Sequence, residues 1–370
     1  MKRLTLVLLT AVVALVAAGA ASARDAGPHG ARPVGYAYTI SNAVAGNELV
    51  VYARAADGTL APDGSVPAGG LGAGAGLASQ GAVTLTDDGR TVLAVNPGSN
   101  SVAVFQVHAH DGPTLLNTAP SGGIRPVSVA VDKQLVYVLN KNNAALATVS
   151  GFHLGKDGLT SIPGSTRVLN AGATDAAQVK FTPDGGTLVV TGRSSNKIDT
   201  FRVGKGGVLG ALQTFDVAPG GTPFGFDFDS RGNLLVSLAG VAGSSGAASY
   251  AVGKDGRVST ITAPVATGQN AACWLVSSKD GRFAFVANAA SASVSTFSVG
   301  PDGSIAFQGA TAVPGMTPLD EALSEDGHTL YVLAAGSHGI VQFSVGNDGS
   351  LTYVGSQLTI PATAAGLAVR

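Results

Sequence analysis

Hydrophobic and polar positions alternate in short runs along most of this chain. The stretches FAFVAN, residues 283–288, and SVSTFSV, residues 293–299, are rich in Val, Phe, Ser and Thr and nearly follow a two-residue period. Such alternation is typical of β-strands, whose successive side chains point to opposite faces of a sheet. An Asp-Gly pair precedes the first run and another follows the second, and this pair suits tight turns that need a positive φ. The pattern predicts a meander of short strands joined by tight turns.

The same turn signal returns at a regular interval. Seven copies are present, and the spacings between successive copies are 54, 46, 49, 49, 47 and 46 residues. The equivalent positions are Asp57, Asp111, Asp157, Gly206, Asp255, Asp302 and Asp348. The first spacing is longer because it contains a Gly- and Ala-rich insertion, PAGGLGAGAGLAS, which we interpret as a flexible loop. Each unit contains four strand patterns, and seven such units predict an all-β fold, a seven-bladed β-propeller.

The two ends of the repeat region indicate how the ring closes. The first unit begins at GYAYTI, residues 35–40, which has the pattern of a second strand, so its inner strand is missing. The C-terminal stretch, residues 362–369, follows the seventh unit and has a strand pattern of its own. We therefore predict one domain over residues 35–370, closed by N- and C-terminal strands that share a blade and so leave no unpaired inner edge.

The N-terminus has the pattern of an export signal. Lys2 and Arg3 precede an apolar run that extends to about Ala20, and the small residues Ala21-Ser22-Ala23 follow it. This order predicts a signal peptide over residues 1–23 and a linker over residues 24–34. An uncleaved membrane anchor is the alternative, although the apolar run is short for a span. We expect a secreted or periplasmic protein with no stable membrane span after processing.

Composition narrows the classes of function. Charged residues make up 12% of the chain, and removal of residues 1–23 leaves 20 Lys and Arg against 23 Asp and Glu. No basic patch interleaved with aromatic residues is present, so we expect no nucleic-acid partner. We expect a monomer without cofactor or metal, since His108 and His110 have no third ligand nearby in sequence. Cys273 is the only cysteine, which excludes an intrachain disulfide, and we interpret it as a packing residue.

Three stretches resemble one bacterial family. PDGGTLVVTGRSSNKIDTFRV, KDGRFAFVANAASASVSTFSV and EDGHTLYVLAAGSHGIVQFSV, with inner strands that start GIRPVSVAV, GGTPFGFDF and GMTPLDEAL, resemble seven-bladed lactonase-like propellers. That family is related to 6-phosphogluconolactonase and 3-carboxymuconate-lactonizing enzyme. The resemblance extends over roughly residues 35–370. It implies hydrolysis of a small lactone by His, Arg and Glu side chains around one end of the central channel.

We place the candidate site on the face that carries the loops between second and third strands and the loops between blades. The catalytic candidates on this face are Arg125, Arg193, Asp320, Glu321 and His338. The ligand-binding candidates are Asp175, Gln178, Gln269 and Asn270. Guanidinium groups offer paired donors to an anion, and amides fix the orientation of a ligand. Because Asp320 and Glu321 are adjacent on a strand, we expect them to point to opposite faces and not to act as a pair.

Two classes of function stay open from the sequence. An exported lactone hydrolase needs Arg, carboxylate or His groups that converge in a deep channel mouth. A non-catalytic propeller that binds a small ligand, a glycan or a protein outside the cytoplasm can use a shallow face rich in Asn, Ser and Gly. The inner-strand segments contain no histidine, and loops such as NPGSNS favour the second class.

Overall fold

The structure is a computed structural model that describes residues 32–108, 112–219, 221–241 and 244–370. The predicted signal peptide, most of the linker and His110 lie outside these residues. In chain order the strands are β1 Gly35–Ile40, β2 Glu48–Arg54, β3 Leu60–Pro67, β4 Val83–Leu85, β5 Thr91–Asn96, β6 Ser101–His108, β7 Gly112–Pro120, β8 Pro126–Asp132, β9 Leu135–Asn140, β10 Thr148–Gly155, β11 Gly158–Ser161, β12 Arg167–Val168, β13 Ala176–Phe181, β14 Thr187–Gly192 and β15 Lys197–Val203. They continue with β16 Leu209–Asp216, β17 Thr222–Phe228, β18 Leu234–Ala239, β19 Gly246–Val252, β20 Val258–Ala266, β21 Ala272–Ser277, β22 Phe283–Asn288, β23 Ser293–Val299, β24 Ile305–Ala312, β25 Pro318–Leu323, β26 Thr329–Ala334, β27 Gly339–Val345, β28 Leu351–Gln357 and β29 Ala365–Val369.

These strands form seven antiparallel sheets, which confirms the predicted seven-bladed β-propeller. Blade 1 has the strand order β29-β1-β2-β3, and blade 2 has the order β4-β5-β6-β7. Blades 4 to 7 repeat the second pattern with β13–β16, β17–β20, β21–β24 and β25–β28. Blade 3 contains β8, β9 and β10, and its outer edge is divided between β11 and β12. Short 3₁₀ turns occur at Asn142–Ala144, Lys205–Gly207 and Ala335–Ser337.

The C-terminal strand closes the ring, as the sequence predicted. In blade 1 the register of β29 against β1 places Ala368 opposite Tyr38 and Ala365 opposite Ile40. Arg370 donates its backbone N–H to the Tyr36 carbonyl at 2.8 Å, and the Tyr36 N–H donates back to Arg370 O at 2.9 Å. The two ends of the domain are therefore joined by a hydrogen-bonded strand pair that leaves no open inner edge in blade 1.

The Asp-Gly turns have the local structure that their residues favour. The Asp302 carboxylate accepts hydrogen bonds from the Ser304 N–H at 3.0 Å and from the Ser304 hydroxyl at 2.6 Å. Gly303 between them has a φ of 83°, a conformation that glycine adopts without strain. Asp348 makes the same pair of bonds to Ser350. The acidic residues of these turns thus have partners within the turn itself.

Apolar side chains fill the spaces between blades. Phe285 of blade 6, for example, belongs to one buried cluster with Leu330, Val332 and Phe343 of blade 7. Large side chains from neighbouring sheets interdigitate there, and burial of such residues provides most of the stability of the ring. A ring packed in this way fixes the seven inner strands around one central channel.

Candidate functional site

Three charged side chains meet on the loop-bearing face of the channel, and the charge of a fourth, Arg125, acts on one of them. Asp175 precedes β13, Lys141 follows β9 and Arg193 follows β14. Lys141 Nζ lies 2.5 Å from Asp175 Oδ1, and Arg193 Nη1 lies 3.1 Å from Asp175 Oδ2. The Lys141 N–H donates to the carbonyl of Arg125, which precedes β8. We call Arg125, Lys141, Asp175 and Arg193 the cation cluster, because it combines three cations with one carboxylate.

The cation cluster has an excess of positive charge, with three cations and one carboxylate. Burial lowers the pKa of Lys141, the Asp175 carboxylate raises it, and the positive charges of Arg193 and Arg125 lower it again. The buried Nε atoms of Arg125 and Arg193 have no hydrogen-bond partner among the residues that the structure describes. Guanidinium donors without a partner are suited to bind a carboxylate or phosphate oxygen.

Arg193 is also fixed by an aromatic contact. Its guanidinium carbon lies 4.9 Å from the centre of the Phe224 ring, within the range of a cation–π interaction. Phe224 in turn contacts Trp274, with 4.9 Å between the ring centroids. The two rings come from blades 5 and 6, so Arg193 extends from blade 4 toward the centre of the channel mouth. Its guanidinium therefore lies on the face where the candidate site was predicted.

The Gly- and Ala-rich insertion between blades 1 and 2 crosses the channel mouth. Lys141 Nζ donates to the carbonyls of Leu77 at 2.9 Å and Ala78 at 3.2 Å. Trp274 Nε1 donates to Ser79 O at 2.8 Å from the other side of the ring. The segment is a loop, as its composition indicated, and hydrogen bonds to two other blades hold residues 77–79 in place. Their partners lie in blades 3 and 6, far away in the sequence, and the composition of the insertion could not reveal them.

Asp320 and Glu321 lie inside the channel. They are 3% and 2% exposed, and both line a cavity of about 460 Å³. The backbone N–H donors of the Asp320 carboxyl are those of Gly81 and Leu367, whereas the donors of the Glu321 carboxyl are those of Val276 and Ala287 in blade 6. The two carboxyls therefore point to opposite sides of β25, as their adjacent positions predicted, and they interact through their charges.

Burial makes both carboxyls hard to ionise. It raises the pKa of Asp320 to about 7, although the N–H groups of Glu321, Gly81 and Leu367 partly offset the rise. The pKa of Glu321 lies well above its usual value because of burial first and the nearby Asp320 charge second. Moving a charged carboxylate out of water is costly unless a partner compensates it.

This raised pKa predicts an unusual dependence of stability on pH. Between about pH 4 and pH 7 the unfolded chain ionises Asp320 while the folded chain keeps it protonated, so stability falls as pH rises. We expect this one group to lower the free energy of unfolding by about 1.4 kcal/mol for each pH unit in that window. Urea unfolding of wild type and Asp320→Asn from pH 4 to pH 8 tests this, since the variant should have a slope smaller by about this amount while Glu321 keeps its own contribution. Equal slopes for both proteins would contradict it.

The other predicted residues have separate positions. Gln178 is buried, and its amide accepts from the Phe226 N–H at 2.6 Å and donates to the Phe226 carbonyl at 2.9 Å, which ties blade 4 to blade 5. Gln269 Oε1 accepts a hydrogen bond from the Ser293 hydroxyl. The backbone of Asn270 donates to Ser291, and His338 is exposed at the rim of blade 7. Within the described part of the chain, none of these four side chains contacts the cation cluster.

Lys141 is the functional candidate that sequence reasoning missed. It directly follows the second strand of blade 3, just as Arg193 directly follows the second strand of blade 4. An alignment of the repeats by their second strands would have placed both cations in equivalent loops. The equivalent positions of Lys141 and Arg193 are visible in the sequence. However, Lys141 lies among asparagines in NKNNAALA, a composition typical of a solvated loop.

Other chemistries have little structural support. Among the described residues, no group of three or more His, Cys, Asp or Glu is placed to hold a metal ion. His108 Nε2 lies 3.0 Å from the Thr114 hydroxyl. Burial raises the pKa of the Cys273 thiol to about 12, so this thiol is not a ready nucleophile at neutral pH. No helix in the described ranges is long and apolar enough to cross a membrane.

Comparisons with known proteins agree with the fold. A candidate 6-phosphogluconolactonase from Bacteroides uniformis has 18% identity and a TM-score of 0.75, covering 91% of this chain and 99% of that one. A protein from Lactobacillus plantarum has 21% identity and a TM-score of 0.75, with coverage of 91% and 99%. The periplasmic gluconolactonase of Pseudomonas aeruginosa has 19% identity and a TM-score of 0.73, with coverage of 90% and 99%. At these identities the likeness shows the fold alone.

A comparison with curated proteins finds no match. Family comparison, in contrast, matches residues 34–157, 159–256 and 241–365 to the family described as "Lactonase, 7-bladed beta-propeller". These segments cover most of the chain and contain every residue of the cation cluster. The chain therefore belongs to the seven-bladed β-propeller lactonase family.

Proposed function

We propose that this protein binds a small organic acid at the cation cluster and hydrolyses a lactone of that class. The observation that carries the proposal is the excess of three cations over one carboxylate, together with two buried guanidinium Nε–H groups without a partner. Such fixed donors stabilise negative charge that develops on an oxygen when water attacks a lactone carbonyl. Arg125 and Arg193 would hold the acid group or the developing oxyanion.

The proton of the attacking water needs an acceptor. Asp175 is the carboxylate within the cation cluster, and its side chain is 37% exposed, so water can reach it. Its two oxygens already contact Lys141 and Arg193, and these cations hold the carboxylate in one orientation. We assign Asp175 as the proton acceptor, in place of the sequence-based candidates Asp320 and Glu321 inside the channel.

A lactone panel tests this proposal. Purified protein would be assayed against aldonolactones with and without an acid or phosphate group, beside the variants Arg125→Ala and Arg193→Ala. We expect kcat/KM for acid-bearing lactones to fall about 100-fold in each variant, because a donor to the oxyanion is lost. Arg257→Ala is the matched control, since Arg257 is a largely exposed arginine in a hairpin turn of blade 5. Unchanged turnover in both site variants would refute the proposed site.

A second candidate function is ligand binding without turnover. The insertion at Leu77–Ser79 occupies the channel mouth through its contacts with Lys141 and Trp274, which favours a shallow binding face. Calorimetry with gluconate and 6-phosphogluconate separates the two functions. Binding that depends on Arg193 in a protein without lactonase activity would favour the binding function.

The location proposed for this activity is outside the cytoplasm. The N-terminal charge, apolar run and small-residue site support export. One structural neighbour is a periplasmic gluconolactonase. Expression of the full chain followed by N-terminal sequencing of the exported product should give Arg24 as the first residue. Retention of an intact N-terminus in the cytoplasm would argue against export.

A further inference from the structure

An apolar pocket lies beside the cation cluster on the loop-bearing face. Its volume is about 170 Å³, and its wall includes Leu77, Ala78, Trp274, Leu319, Leu333 and Ala364. Gly76 at its margin is exposed, so the pocket opens to solvent along the insertion. An apolar cavity of about 150 Å³ can bind benzene, so this pocket has room for an apolar group of about six carbons. We call it the side pocket.

The polar groups of this lining already have hydrogen-bond partners. Ser79 donates its hydroxyl to a backbone carbonyl of blade 3 at 2.8 Å, and its own carbonyl accepts from Trp274 Nε1. Among the described residues of the lining, Asp320 alone is ionisable, and its buried carboxyl accepts from the Gly81 and Leu367 N–H groups. A polyol chain in the side pocket would lose its water without gaining these groups as partners. The pocket therefore favours a hydrocarbon chain.

The surface between the side pocket and Arg193 is also apolar. Two successive separations of 4.9 Å, from the Arg193 guanidinium carbon to the Phe224 ring and from that ring to the Trp274 ring, put Arg193 within about 10 Å of the pocket wall. Methyl groups cannot hydrogen-bond to a hydroxyl, so this surface suits an alkyl chain as well. The alanines that pack against the two rings are Ala78, Ala239, Ala271 and Ala289.

The insertion connects the side pocket to the cation cluster. The carbonyls of Leu77 and Ala78 accept from Lys141 Nζ, and Ala78 O also lies 3.4 Å from Arg193 Nη1. The same two residues form part of the pocket wall. A ligand whose acid group contacts Arg193 can therefore place its other end beside Leu77 without leaving the channel mouth.

We infer that the ligand of the cation cluster is an amphipathic acid, a carboxylate with an alkyl chain of about six to eight carbons. The carboxylate pairs with Arg193, and the chain enters the side pocket beside Trp274 and Leu319. This inference rests on the proposed function and narrows its substrates to alkyl-substituted lactones. When such a lactone is hydrolysed, water adds to the carbonyl carbon, the ring C–O bond breaks, and one proton of the water passes to the ring oxygen. The product then has both a carboxylate and an alkyl chain.

Calorimetric titration of the purified protein with butyrate, hexanoate and octanoate tests the inference. We expect affinity to rise about threefold for each added methylene, since each one leaves water on entering the pocket. Trp274 is the only tryptophan of the chain and lines the side pocket, so its fluorescence should change with octanoate and not with butyrate. n-Octanol, the neutral control, should bind at least about tenfold more weakly than octanoate. Affinity that does not change with chain length would overturn the inference.

Variants locate the alkyl chain. Leu319→Gln places an amide in the wall of the side pocket and should weaken octanoate binding about tenfold, with gluconate binding unchanged. Leu358→Gln is the matched control, since Leu358 is 59% exposed and does not line the pocket. Thermal melts verify that the variants fold, and the chain-length series in wild type is decisive if Leu319→Gln does not.

Arg193→Ala separates this inference from the proposed function. We expect the variant to weaken the binding of octanoate and of gluconate, because both acids use the guanidinium group. Gluconate that binds as tightly as octanoate, with both dependent on Arg193, would refute the alkyl ligand and leave the proposed function intact. Failure of every acid to bind, or binding that does not depend on Arg193, would refute both.

Discussion

Deletion of residues 362–370 should prevent this protein from forming a stable ring. The deletion removes all of β29, the inner strand of blade 1, and exposes the edge of β1. It also removes Leu367 and Ala368, which pack in the cores on the two sides of blade 1. We expect a loss of several kcal/mol, a large part of the 5–15 kcal/mol that stabilises a typical domain. Circular dichroism and urea unfolding of wild type and truncated protein measure this loss.

A point substitution gives the matched control. Leu367→Asp places a charge at a side chain that is 6% exposed, whereas Leu358→Asp makes the same change where exposure is 59%. We expect the first variant to lower the midpoint of urea unfolding strongly and the second to change it little, because only the first desolvates a carboxylate. Similar midpoints for the two variants would mean that closure by β29 contributes little to stability.

Replacement of Lys141 with Met should also have a large effect. The Lys141 side chain is only 10% exposed, contacts Asp175 and donates to two carbonyls of the insertion. Met has similar length but no donor, so the variant leaves a partly buried carboxylate and two carbonyls without this partner. Asp175 keeps its contact with Arg193, so the loss comes from the hydrogen bonds of the buried ammonium, and such bonds to a charged group contribute about 1.5–3 kcal/mol. Urea unfolding at pH 7 measures the loss.

Lys197→Met is the control for this prediction. Lys197 also pairs with an aspartate, Asp216, but that carboxylate is largely exposed at the outer part of blade 4. Exposed ion pairs contribute about 0–1 kcal/mol, so the control should be nearly as stable as wild type. If both lysine variants lose the same stability, the contacts of Lys141 with Asp175 and the insertion contribute no more to the free energy of unfolding than an exposed ion pair does.

The fold could be predicted because its signals are local. Blades 2 to 7 are each a run of strands within fewer than 55 residues. Turn residues such as Asp302 favour their conformation through neighbours two positions away. The seven copies of these signals predicted seven blades. Ring closure was also predictable, since the first unit lacks one strand pattern and the C-terminus supplies it.

The candidate site could be predicted only in part. The sequence placed Arg125, Asp175 and Arg193 on one face, because each follows or precedes a strand at the same end of its blade. It did not show that Asp175, and not Asp320 or Glu321, is the carboxylate beside Arg193. That choice depends on side-chain reach across the mouth, which repeat patterns do not specify.

The sequence by itself thus determined the strands, the turns, the seven blades and the shared first blade, because alternation and turn chemistry act between residues close together in the chain. Only the tertiary structure decided which side chains meet at the channel. Lys141 contacts Leu77 across 64 positions, and Trp274 contacts Ser79 across 195. Such contacts depend on the curvature and packing of the whole ring. The burial that raises the pKa of Asp320 has the same origin, since seven inner strands must surround a carboxyl before water is excluded from it.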